Sequence, residues 1–486
     1  MSALVQKHKE QPQLDWEVKN LASVLRVDEA HAVMLAEQGL ITESQAGAIL
    51  GVIDQLKAAG PSKFASKPGY GSIVLQIERV LATHIGEDTA GRLSIARSRL
   101  DQGATVRRVA DRDSALEVAH RLTELLATLA DVAERHKDVP TISYTHLQQA
   151  QPANFGHYLL AFEDRLEDAF DQLTQVYDRI DRCPLGAVGL SGTNLPTNRH
   201  RTASLLGFSQ ILDNSRRGRD AYYQIEMACT LAMIMTILND LCTDLHVFSS
   251  TEFGVVEIDD CHCGTSSIFP QKKNPFALEI VKKVAQDAAG WVATALATFR
   301  NEGTGDTANR SLGILGDACN KTSAMLQLTS EILNLMVVNR SRCEALLKNT
   351  WVTTNFLANT LLLNHGVSYR TAHGVVARLV KNSLENRISR ADVTIEMLQA
   401  AAEQMGVTGL GMSEQELRAA LDPAEYIQQS SSFGSVGPEQ VKRLLTSSRQ
   451  KVVANCLWVE SKERHLESAD AELREVTEKL RVHKRV

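Results

Sequence analysis

Residues 221–248 read AYYQIEMACTLAMIMTILNDLCTDLHVF, a run that is apolar around far more of a helical circumference than one contact stripe requires. Two readings fit it: the centre of a monomeric bundle, or burial against helices from other subunits. Working outward, the stretches 101–131, 149–180, 276–299 and 311–340 also repeat apolar residues at helical spacing. A helix of about 30 residues spans about 45 Å, and its apolar stripe is covered only by partners of similar length. The sequence therefore predicts long helices packed side by side. Aromatic residues make up only 5% of the chain and prolines number 11 in 486, which favours helix over sheet. The expected fold class is all-α.

The flanks are organised on a smaller scale. Ala30–Gln38 and Glu43–Ala59 have helical periodicity, with Thr42 as the cap between them; 61–70 reads as a loop, and Ser72–Gly86 as another helix. From Asn355 onward, short helical patterns around Gly366 suggest a C-terminal cap, while 459–486 reads as a solvated helix or frayed tail. The expected division is an N-terminal helical domain at 1–103, a central long-helix bundle at 104–350, a cap at 351–460 and a charged terminal helix or tail at 461–486.

Composition narrows the function classes. The 58 acidic and 52 Lys plus Arg residues give a net charge of −6, with no general attraction to nucleic acid or anionic lipid. No secretory signal, uninterrupted membrane-length apolar run, phosphate loop, zinc-finger spacing or kinase signature is read in the sequence. The eight cysteines outline no disulfide framework, which favours a reducing, cytoplasmic setting.

Three segments carry candidate chemistry. In CHCGTSSIFPQKKNPFALE, 261–279, a loop with Thr265, Ser266 and Ser267 leads through Lys272 and Asn274 to a helix beginning around Pro275. Backbone N–H groups, the positive helix end, a lysine charge and an amide donor suit an anion whose charge grows during reaction. An ordinary polar loop is the plain alternative. Cys261-His262-Cys263 invites a metal reading, but adjacent ligands without a second cluster make a poor tetrahedral set. In SYTHLQQAQP, 143–152, His146 is suited to proton transfer, with Thr145 and Gln149 beside it. In ARSRLDQ, 96–102, the arginines either grip a carboxylate or fix a helix end by ion pairs.

Together with GRLSIARSRLDQGAT at 91–105, YTHLQQAQPANFGHYLLAFEDRLED at 144–168 and PLGAVGLSGTNLPTNR at 184–199, the stretch GTSSIFPQKKNP at 264–275 resembles the fumarase and aspartase superfamily, most closely its argininosuccinate lyase branch. The resemblance implies three mostly helical domains whose central helices join in a homotetramer with a twenty-helix core. Each composite site would draw on three subunits. By position it implies Ser266 as catalytic base, with Lys272 and Asn274 holding the substrate carboxylate beside Ser267. It pairs His146 with Glu279, makes Thr145 and Gln149 substrate contacts, and aligns Ser98 and Arg99 with a substrate-binding Arg-Ser-Arg segment; Asn194 stands where a second threonine is common.

The implied reaction is carbon–nitrogen elimination. Ser266 would take a proton next to a carboxylate, an aci-carboxylate would form, and collapse would release an amine and fumarate from an N-substituted aspartate-like dicarboxylate. No cofactor or metal is implied. Departures from the argininosuccinate lyase pattern fall at substrate-contact segments: Leu100 replaces an asparagine, Ser94 and Ala96 replace His and Gly, Thr265 replaces Gly, Phe269 replaces Met, and Phe276 follows Asn-Pro. Residues 297–313 also lack that branch's usual motifs. The expected leaving group is accordingly a different amine. The alternatives are argininosuccinate lyase itself, a fumarate-forming lyase with a non-amine leaving group, and a noncatalytic structural homologue.

Overall fold

The computed structural model describes residues 2–64, 69–300, 311–348 and 350–482. The fold is essentially all-helical. In the N-terminal layer, α1 (Leu21–Glu37) and α2 (Glu43–Ala59) pack with the helix Ile73–Ile85 around Leu25, Val33, Ile49, Ile53 and Ile77. Thr42 closes a capping box with Gln45 and so fixes where α2 starts.

Five long helices build the centre among the described residues: α3 (Arg99–Arg135), α4 (Phe155–Ile180), α5 (Tyr223–Phe248), α6 (Phe276–Thr298) and α7 (Leu315–Leu335). They match the periodic stretches of the sequence, and their contacts set an up-and-down order. The Tyr223 hydroxyl donates to Asp111 at 2.8 Å, while Tyr158 near the start of α4 donates to Asp244 near the end of α5 at 3.1 Å. The rings of Tyr222 and Phe299 meet at 5.6 Å, which puts the end of α6 beside the start of α5. Leu312 N–H donates to Gln224, placing the start of α7 at that same end. Thus α3, α5 and α7 run one way, and α4 and α6 return.

Helix α5 is long and apolar enough to span a membrane by length and composition, with a hydropathy of 1.5 in its most apolar window, 56% of which is buried within the chain. It lies at the centre of the bundle, where Leu231, Ile234, Leu238 and Leu241 are wholly buried. Part of its apolar surface is therefore uncovered by this chain.

The hairpin between α3 and α4 departs from the expected loop. Strand β1 (Pro140–Thr145) pairs antiparallel with β2 (Gln148–Asn154), so residues 149–154 are strand rather than helix. Ile142 on β1 packs with Leu347 and Val352. The cap helices Thr354–His365, Tyr369–Glu385, Ile395–Gln404 and Glu414–Leu421 surround Leu357, Leu361, Val375, Leu398 and Leu417.

Helix α8 (Pro438–Val482) then runs for 45 residues, continuous across residue 460. Its charged second half is not solvated all round: Ala469, Leu473 and Thr477 are buried, and Leu473 joins the N-terminal core. Residue 103 likewise lies inside α3. Of the segment 297–313, residues 301–310 lie outside the described residues, as do 65–68 of the predicted loop and 483–486 of the charged tail.

Candidate active site

The serine loop is closed at its base by a short antiparallel pairing, Gly264 with Asn274 and Thr265 with Lys273. The Asn274 side-chain amide donates to the Gly264 carbonyl at 3.3 Å. Gly264 is required by close approach, because a Cβ there would lie 2.1 Å from the Phe276 ring. Inside this ribbon the chain turns tightly, and the Ser266 Oγ accepts N–H groups from Ile268 at 3.3 Å and Phe269 at 3.0 Å. Two backbone dipoles aimed at one hydroxyl oxygen favour its deprotonated form. Lys272, Ser267 and Glu279 are exposed, and Glu279 sits in the first turn of α6.

The paired lysines divide in role. Lys273 Nζ meets Asp260 at 2.7 Å and Glu257 at 2.9 Å, and these two carboxylates hold its pKa above the usual lysine range. Lys272 makes no ion pair among the described residues and stays available to an incoming anion. No group of three or more His, Cys, Asp or Glu among the described residues is arranged to hold a metal.

His146 occupies the tip of the hairpin. With Thr145 opposite Gln148, His146 and Leu147 form a two-residue turn, and both have positive φ, 56° and 58°. Such turns normally use Asn and Gly, so a His-Leu pair stores strain while projecting the imidazole into solvent. Thr145, His146 and Gln149 are all exposed. Within one chain no hydrogen bond or ion pair joins His146 to Glu279.

The arginine segment also divides. Arg97, with a side chain only 4% exposed, is ion-paired to the buried Asp28 of α1, which in turn accepts from Gln102 Nε2 at 2.7 Å. His31, also of α1, contacts the Ile95 carbonyl through Nε2 at 2.9 Å; burial, then the Arg97 charge, push its pKa down to about 3. Arg97 therefore fixes the helix entry, and Arg99 is the exposed guanidinium. Ser98 caps α3, its Oγ accepting the Leu100 N–H at 3.3 Å. Asp101 completes the capping box of this unit, a Ser-x-x-Asp pattern at 98–101 that marks the helix start in the sequence itself.

Ala96, at φ 52°, precedes this unit. A left-handed alanine costs roughly 1 to 2 kcal/mol, and glycine removes that cost while adding unfolded-state entropy. Ala96→Gly is expected to raise stability by about 1 kcal/mol in urea unfolding. An unchanged or lower midpoint would show that strain at this turn is not stored as read.

The three segments do not meet in one chain. Helix α3 is 37 residues long, about 55 Å, and it separates Arg99 from the hairpin that follows its other end. The serine loop sits at the hairpin end too, because α6 returns toward Tyr222; its 23 residues place Ser266 about 35 Å or more from the Arg99 end. One chain thus presents the serine loop and the histidine turn at one end of the bundle and the arginine cap at the other.

Residues 2–290 match a family model described as lyase, and residues 353–428 match one described as argininosuccinate lyase C-terminal. An argininosuccinate lyase of Methanocaldococcus jannaschii is 34% identical over 430 residues, 87% of each chain. One from Methanococcus maripaludis is 32% identical over 469 residues, 95% of each. The solved structure of an EDDS lyase variant with bound fumarate superposes with a TM-score of 0.87 at 27% identity, covering 98% of this chain and 96% of that one.

Proposed function

The chain belongs to the lyase family of the aspartase/fumarase superfamily, and from that premise we propose that it expels an amine from an N-substituted aspartate-like dicarboxylate to give fumarate. The β-eliminating, fumarate-forming carbon–nitrogen lyase chemistry of that superfamily is supported; the leaving amine is the proposal. The observation that carries the mechanism is the pair of N–H groups directed at Ser266 Oγ. They favour the alkoxide that would take the proton next to the carboxylate. Lys272 and Asn274 would then balance the charge of the aci-carboxylate, where one aligned donor contributes roughly 3 to 4 kcal/mol. Ser267, Thr145, Gln149, Ser98 and Arg99 would hold the substrate, and His146, balanced by Glu279, would assist the departing amine.

Assembly completes this reading as a homotetramer with sites drawn from three subunits. The end-to-end separation of Arg99 from Ser266 supports it, as does the partly uncovered apolar surface of α5. Helix α6 adds Leu296, about half exposed, on a face with Ala289 and Ala293, small residues that allow close helix approach. All eight cysteines are free, which supports a reducing, cytoplasmic setting.

Argininosuccinate cleavage is the second reading, favoured by the names of the relatives and by the match at 353–428. Leu100 weighs against it, because an apolar side chain stands where that branch places an amide. The discriminating experiment runs the reaction backward, incubating the protein with fumarate and a broad amine panel, arginine included. A new mass equal to fumarate plus one amine identifies the leaving group. An arginine adduct alone selects the second reading, and no adduct with any amine rejects carbon–nitrogen chemistry.

A further inference from the structure

Asp101 is wholly buried, and its two carboxylate oxygens serve different parts of the chain. Oδ1 accepts the Ser98 N–H at 2.9 Å, as a capping-box carboxylate does at the start of its own helix, and the Gln102 N–H at 3.0 Å as well. Oδ2 points away from the helix and accepts from Gly186 at 2.9 Å and Val188 at 2.8 Å, residues 85 and 87 positions further along the chain. A cap alone would leave that second oxygen in water. Here it is taken by a remote loop, and all four partners of the carboxylate are backbone amides.

That loop holds an unusual conformation. Gly186, Val188, Leu190 and Gly192 have φ of 89°, 52°, 74° and 77°. A β-branched residue at positive φ persists only where its surroundings over-determine it. The loop's own turns use the amides of Ala187, Leu190 and Gly192, bonded to the carbonyls of Pro184 and Ala187. The amides of Gly186 and Val188 are the ones turned outward to Asp101. The same carboxylate thus sets the entry of α3, where Ser98 and Arg99 sit, and the path of the loop leading to Asn194.

We propose that Asp101 is a positioning residue that locks the Arg99 segment and the loop 184–192 into one rigid anion-binding unit. The inference rests on the lyase reading only in that Arg99 is taken to face the substrate. Asparagine is nearly isosteric but replaces one acceptor oxygen by a donor. In Asp101→Asn an NH₂ group must face one pair of N–H groups, and the loop pair, outside the helix, is the one that gives way.

The test compares wild type and Asp101→Asn as assembled protein, measuring fumarate binding by calorimetry and hydrogen exchange across 184–192. Faster exchange in that loop together with at least tenfold weaker fumarate binding, at unchanged helix content and assembly, is the expected result. Faster exchange with fumarate affinity within twofold of wild type would reduce Asp101 to a structural residue and overturn the proposal. Unchanged exchange and affinity would overturn it as well. If Asp101→Asn does not assemble, Asp101→Glu, which keeps both oxygens on a longer arm, is measured against the same criteria. Wild type that fails to bind fumarate would instead sink the lyase reading, and this inference with it.

Discussion

Ser266→Ala is expected to cut fumarate release by about 100-fold or more, close to 3 kcal/mol in the barrier, while assembly and fumarate binding persist. The expectation follows from where the hydroxyl sits. Its oxygen already accepts two backbone N–H groups, so donors that would favour a negative charge at Oγ are in place before any substrate arrives. Alanine removes the oxygen but leaves the ribbon that shapes the loop, the close approach of Gly264 to Phe276, and the exposed Lys272. Turnover should therefore fall with little change in affinity, the signature of a group that acts in the transition state. The measurement is the rate of fumarate release beside its dissociation constant. Near-normal turnover would remove Ser266 as the base.

The five central helices were legible because each carries an apolar stripe long enough to outweigh local irregularity. The serine loop was legible too, as a dense run of small polar residues, lysines and a helix start. The hairpin was not. Thr145-His146-Leu147-Gln148 lacks the Asn-Gly or Asp-Gly signal of a tight turn, and the strands are held by packing of Ile142 with Leu347 and Val352, far along the chain. Arg97 and Arg99 look alike in sequence; they separate only because Asp28 of α1 takes one of them. Lys272 and Lys273 are told apart in the same way, by Glu257 and Asp260. At the C-terminal end, the density of charge on α8 concealed a spaced stripe at Ala469, Leu473 and Thr477 that finds its partner in the N-terminal layer. What escaped the sequence was in each case a pairing across the chain, which local pattern does not encode.

Mixing two inactive variants is expected to restore activity. Arg99→Glu would set a carboxylate against a dianionic substrate, and Ser266→Ala would lack the proposed base, so each variant alone should be at least 100-fold impaired. In one chain the two positions lie at opposite ends of the bundle, separated by the length of α6 and by the further turns of α3 below Asp111. No side chain bridges that span, so on the proposed reading, in which Arg99 and Ser266 serve one site, the arginine comes from one subunit and the serine from another. When the variants are unfolded together in equal amounts and refolded, a given site receives an intact arginine half the time and an intact serine half the time. Turnover should then recover to about a quarter of wild type, set by subunit shuffling alone. Refolding each variant separately and then combining them supplies the control, which should stay inactive for as long as subunits do not exchange. If the co-refolded mixture also stays inactive while forming mixed assemblies, Arg99 and Ser266 do not share a site, and the arginine cap belongs to some other function of the fold.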